Sequence, residues 1–168
     1  GQQGGKVASR IAAETVSDAG RACLEYREEE AVVLRELERI FSDANQRLMA
    51  VARQDAALWG LGTTLTLGVI RGGQLFFGHL WDSRLYTWRC GFCEQLTEDH
   101  TRVREFVNQG LLSEEEAARS AQRNVLTRYL GTASAVAPQL GRRQLQPGDR
   151  LLLCSDGLYN SLGSERMV

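Results

Sequence analysis

Two aspartates stand where strands end and could do chemistry: Asp82 in "GHLWDSRLY" and Asp156 in "LLLCSDGLYN". A carboxylate followed by glycine after an apolar run, as at Asp156, sits where a backbone turn exposes it. Two such groups brought together repel each other, and a divalent cation is the usual remedy, since hard cations take oxygen ligands. Each residue also has a plainer reading. Asp-Gly is a common turn dipeptide, and local spacing alone favours a turn at Asp156. Taken alone, Asp82 reads as a helix N-cap or as half of a surface ion pair with Arg84.

Other chemistry-bearing residues carry less. Cys90 and Cys93 form a CxxC in "RCGFC", which supplies two of the four ligands of a structural zinc. Neither His79 nor His100 completes the set at a recognisable spacing, and Gly91 and Phe92 fall where a hairpin turns. His100, in "EDHT", reads as a structural residue at a strand–helix junction. "GLGTTL" leads into a strand rather than a helix N-terminus, so it does not cradle a phosphate. Trp59 and Trp88 read as core.

The elements that must position these residues follow from periodicity. Val7, Ile11 and Val16 predict a helix from about Lys6 to Ala19, with Gly20 as its stop. A longer helix is expected in "REEEAVVLRELERIFSDANQRLMAVARQ", with Ala31, Leu34, Leu37, Phe41, Leu48 and Val51 on one face. Its acidic start suits the helix dipole. After Gly60 the period changes to 2: "TTLTLGVI", "QLFFGHL", "RLYTWR" and "CEQL" predict an antiparallel meander, with hairpins at "RGG" and "CGF". From Thr101 two short helices are expected, the second with a capping box of Ser113 and Glu116. Strands resume through "APQLGRRQLQPGDRLLLCSDG", where "RLLLC" reads as a buried strand. Helices segregated from antiparallel strands give an α+β fold class.

A chain of 168 residues fits one domain, and its composition, 43% hydrophobic and 24% charged, is globular. The net charge of −1, without a sustained basic stripe, argues against nucleic acid as a partner. No apolar run approaches the ~20 residues that cross a bilayer, so no membrane role is expected. Four scattered cysteines and the lack of a signal-peptide pattern point to a reducing cytoplasm.

Read in order, "GTTL" (62–65), "DSRLY" (82–86), "QLTEDHT" (95–101), "QRNVLTRYLG" (122–131), "LQPGDRLLLCSDGL" (145–158) and "SERM" (164–167) resemble the PP2C (PPM) family of metal-dependent Ser/Thr protein phosphatases, in its bacterial form. The opening "GQQGGKVAS" is similar to the tail of that family's D-G-x-G-G-H-x-x-G-x-x-A-S signature. The resemblance covers residues 1–168. It implies a four-layer α/β/β/α sandwich of two antiparallel sheets flanked by helices. It also implies two Mg²⁺ or Mn²⁺ ions, with a third more weakly held, and attack of a metal-bridging water on phosphoserine or phosphothreonine. Asp156 then corresponds to the bridging metal ligand and Asp82 to a ligand of the outer metal. Residues 101–124 correspond to a helical flap beside the site, and Asn124 and Arg128 to a structural N-x-x-T-R segment. The implied partners are phosphorylated Ser/Thr proteins, substrates of a cognate kinase, met by a monomer.

The departures from the family pattern are specific. The first signature's Asp-Gly ligand and the C-terminal Asp-Asn ligand strands have no counterpart in residues 1–168, so this piece alone is expected to be inactive. Gln2 falls at the position of a His that protonates the leaving alcohol, and Gln cannot act as a general acid. Trp81 replaces the Gly that precedes the motif's Asp and lets backbone and metal approach closely. Gln2 and Trp81 together motivate a second reading, a catalytically impaired pseudophosphatase that binds phosphoproteins or a partner.

Overall fold

The structure, a computed structural model, describes residues 4–25, 29–122, 125 and 127–162. Helices α1 (Gly5–Glu25) and α2 (Glu30–Gln54) come first, then strands β1 (Leu65–Arg71), β2 (Gln74–Leu80), β3 (Arg84–Arg89) and β4 (Phe92–Gln95). Helices α3 (Arg102–Asn108) and α4 (Glu114–Arg119) follow. Strands β5 (Gln139–Gln144) and β6 (Arg150–Cys154) and helix α5 (Asp156–Leu162) complete the described chain. The strands form two antiparallel sheets, ordered β1-β2-β5 and β4-β3-β6.

The expected meander is therefore divided. Both hairpins form, but between Leu80 and Arg84 the chain leaves the first sheet and enters the second. Trp81 makes the break: its φ of 93° cannot continue a pleated strand. At the second hairpin, Cys90 (φ 51°) and Gly91 (φ 86°) both take left-handed backbone, the pattern of a two-residue turn matched to strand twist. Half of the CxxC is thus accounted for as turn.

Alternation decides what each sheet buries. Leu75 and Phe77 from β2 meet Leu85 from β3, with Leu96, Leu145 and Leu151 around them, to form the core between the sheets. On the opposite face of the first sheet, Val69 and Phe76 pack on Val33 and Leu37 of α2. Phe41, Ala44 and Leu48 join Ala8 and Ala12 of α1 over Leu80. The buried stripe of α2 is Val33, Leu37, Ile40, Phe41, Ala44, Asn45 and Leu48. It keeps Leu37, Phe41 and Leu48 of the expected face but turns slightly toward Val33 and Ile40, leaving Ala31 exposed and Val51 half-buried. Helix α1 runs through Gly20 rather than stopping there; an interior Gly costs only about 1 kcal/mol.

Three further expectations are corrected or sharpened. Trp59 is 85% exposed, not core: it lies between a single 3₁₀ turn (Ala56–Leu58) and Gly60, where no periodic face turns it inward, while Leu61 is buried and Leu58 packs partly buried against the same cluster. Strand β6 is only partly covered, with Leu153 47% exposed, because it stands at the edge of its sheet among the described residues. The capping box forms as expected, with the Ser113 hydroxyl accepting from the Glu116 N–H and the Glu116 carboxylate accepting from the Ser113 N–H. No described helix is long and apolar enough to cross a membrane.

Candidate metal centre

The β3–β6 ladder places the two aspartates. Arg84 lies opposite Cys154 in antiparallel register. Asp82 is two residues before Arg84 and Asp156 two residues after Cys154, so both lie just past the same end of the sheet. Asp82 follows the crossing between sheets, and Asp156 opens α5 as its first residue rather than sitting in an isolated turn. Burial and the neighbouring charges of Asp156 and Asp99 push the Asp82 carboxyl up to about 6. A half-buried carboxylate whose ionisation is made costlier by a neighbouring carboxylate suits a divalent cation.

Arg84 relieves that repulsion only in part, its charge being the smallest of the influences on Asp82. Its Nε donates to Asp99 Oδ1 (2.9 Å) and its Nη2 to Asp99 Oδ2 (2.6 Å), a fork that replaces the expected pair with Asp82. A further N–H reaches the Tyr86 hydroxyl (3.1 Å), and the guanidinium lies 3.7 Å from the Tyr159 ring centre. With the Arg84 fork held by Asp99, Asp82 and Asp156 offer hard oxygen donors at this end. The residues present therefore fit Mg²⁺ or Mn²⁺, Asp82 and Asp156 being the side chains that would hold it. No cluster of three or more His, Cys, Asp or Glu with metal-ligand spacing occurs among the described residues. Gln2 and Asn124 lie outside the described residues, as does "SERM"; Arg128 is exposed.

The strand exit that carries Asp82 is fixed by two histidines. The Trp81 carbonyl accepts from His79 Nε2–H (3.0 Å) and from the His100 backbone N–H (2.8 Å), while the Trp81 N–H donates to His100 Nδ1 (3.1 Å). His79 Nδ1 accepts from the Thr66 hydroxyl (2.9 Å), and the two imidazoles stack at 5.0 Å. Both rings are thus neutral with assigned tautomers, and burial lowers each to about 4. The structural reading of His100 is borne out, and His79, unremarked in the sequence beyond its type, is its equal. Since the folded values lie below the usual 6.5, the stability these rings supply is complete above pH 6.5 and is lost as pH falls toward 4. Each pH unit in that window costs up to about 1.4 kcal/mol per ring. A thermal midpoint that falls between pH 7 and pH 5 is the expected result; a flat profile contradicts the network.

Trp81 holds by itself a backbone conformation that glycine adopts freely, so the Asp82 backbone follows the route a glycine would give it. Its ring leans on Tyr129 (5.7 Å between centroids, tilted by 56°), just beyond residues 101–124. A side chain at φ 93° costs about 1–2 kcal/mol. Trp81→Ala keeps that strain and loses the ring, whereas Trp81→Gly loses both. Urea unfolding should therefore rank Gly above Ala by about 1–2 kcal/mol, the reverse of the order in ordinary strand positions; equal stabilities would remove strain from the account.

Sequence reasoning missed Asn45, Asp99 and Tyr159. Asn45, on the buried stripe of α2, accepts from Gly131 N–H (2.7 Å) and Thr132 N–H (3.2 Å) and donates to the Thr132 carbonyl (3.0 Å). A polar residue on an apolar stripe must find partners, and that was the available signal.

Comparison with known proteins identifies the family. Residues 2–168 match the family described as Protein phosphatase 2C. A protein phosphatase 2C-type relative from Streptococcus pyogenes is 38% identical over 167 residues, 98% of this chain and 68% of its own length. The serine/threonine protein phosphatase PstP of Mycobacterium tuberculosis is 36% identical over 165 residues, 98% of this chain but 32% of that protein. A crystal structure of the catalytic domain of PstP in complex with two manganese ions superposes with a TM-score of 0.78 at 32% identity, covering 95% of this chain and 64% of that one. The chain thus spans between about a third and two thirds of these relatives. A match along almost all of its length, a shared two-sheet fold and carboxylates opposed at one end of the second sheet lead to one conclusion: the chain belongs to the protein phosphatase 2C family.

Proposed function

We propose that the protein containing this chain is a metal-dependent protein serine/threonine phosphatase, with Asp82 and Asp156 among its metal ligands. The observation that carries this reading is that the two carboxylates lie just past one end of the β3–β6 ladder, near enough for the charge of one to act on the other, with Arg84 forked to Asp99. When bound, divalent cations supply an activated water and offset charge on the transferring phosphoryl group. The chain's own residues do the rest. The ladder sets the separation of the carboxylates, His79 and His100 hold the strand exit, and the segment of α3 and α4 stands as a flap that meets the phosphoprotein. The protein acts as a monomer on proteins phosphorylated by a Ser/Thr kinase in the cytoplasm.

The relatives' names and the glycine-like backbone of Trp81 support an enzyme over a pseudophosphatase. The test is hydrolysis of p-nitrophenyl phosphate by the full-length protein with and without Mn²⁺. Mn²⁺-dependent turnover is expected; Mn²⁺ binding with no turnover would favour the binding module.

A further inference from the structure

Helix α5 carries Asp156 yet has no buried residue, so packing in the core does not set its rotation. Tyr159, three residues on and on the same helical face as Asp156, reaches back: its hydroxyl donates to the carbonyl oxygen of Asp82 (2.9 Å). Its ring carries the Arg84 guanidinium 3.7 Å from its centre. Arg84 is itself locked by the fork to Asp99 and the bond to Tyr86. One aromatic side chain thus joins the helix bearing one carboxylate to the backbone of the other.

We propose that Tyr159 is a positioning residue that fixes the placement of Asp156 relative to Asp82 and thereby sets the affinity of that end of the site for a divalent cation. The proposal rests on the metal-dependent reading above. Arg84 contributes through the ring: with its charge taken by Asp99, it acts as a rigid plate that stops Tyr159 from swinging away. The plainer reading, that Tyr159 only anchors α5, predicts a change in stability without a change in metal affinity.

Tyr159→Phe separates the two, since it keeps the ring under Arg84 and removes the one hydrogen bond. Mn²⁺ titration calorimetry on the full-length protein should show binding weakened about five- to tenfold, the range given by one hydrogen bond of about 1–1.4 kcal/mol. Phosphatase turnover should fall at limiting Mn²⁺ and return at saturating Mn²⁺. The thermal midpoint in EDTA reports folding independently, and Tyr159→Leu, which also removes the ring, should lose more affinity than Tyr159→Phe. Unchanged Mn²⁺ affinity in Tyr159→Phe overturns the positioning role, whether or not the EDTA midpoint moves. Failure of the unsubstituted protein to bind Mn²⁺ overturns the functional reading instead, and needs no variant to be seen.

Discussion

Asp156→Asn in the full-length protein should reduce Mn²⁺-dependent hydrolysis of p-nitrophenyl phosphate at least about 100-fold, since loss of a mere outer partner of a ligand already costs 10–100-fold. The same change should leave the fold intact, because Asp156 is exposed at the start of α5. A second readout follows from the charge. Burial is the first cause of the raised Asp82 pKa of about 6, and Asp156 the second. Neutralising Asp156 should move the Asp82 titration downward, without restoring the usual carboxylate value, as followed by carbonyl-carbon NMR in EDTA. The sign for stability follows: a raised folded pKa gives stabilisation at low pH that is lost as pH rises through about 6. The metal-free protein should lose less of it in the variant. Retained activity would refute the metal role of Asp156; an unmoved Asp82 titration would refute their opposition.

Gly131→Ala should be among the most damaging single methyl groups that can be added at a described glycine. Gly131 has φ 99°, and a Cβ there would stand 2.1 Å from the carbonyl oxygen of Leu61, a backbone atom that cannot swing aside. Gly131 also donates to Asn45 (2.7 Å) and follows Leu130, which bridges to Thr63. Left-handed strain alone costs about 1–2 kcal/mol, and displacing the backbone brings the total to at least about 3 kcal/mol, in the range reserved for named steric mechanisms. For a chain of this size, that lowers the thermal midpoint by about 6–12 °C. A shift under about 2 °C, less than 1 kcal/mol, would show that the Leu61–Gly131 approach is soft. Asn45→Ala, which removes the clamp and leaves the backbone room intact, is the companion variant.

Much of the fold was legible because its signals are local. Strands β2 and β3 occupy the residues their alternation predicts, and the Ser113 box, the "RGG" turn and the "CGF" turn act within a few residues of themselves. What periodicity cannot say is which sheet a strand joins. "QLFFGHL" and "RLYTWR" look like neighbours in a meander, and only the left-handed Trp81 between them sends the second to another sheet. The site was legible in parts for the same reason. Asp82 and Asp156 were visible as strand-end carboxylates, but their opposition depends on the register Arg84↔Cys154, set by residues about 70 positions apart. An ion pair of Arg84 with Asp82 is one of two plain readings of the sequence, whereas the guanidinium extends across the sheet end to Asp99, where a bidentate fork is possible. Tyr159 and Asn45 act only across tertiary contacts, and nothing in their flanking residues announces it.

The ladder between β3 and β6 has an evolutionary consequence. All of residues 96–138, including α3 and α4, lie outside the pairing that brings the two carboxylates to the same level. Insertions, deletions or substitutions in that excursion should therefore leave the two carboxylates at the same level. A protease nick at an exposed position within it, such as Leu111, would leave the opposed pair in register. Tolerance of change and the placing of the two carboxylates thus fall to different stretches of one chain.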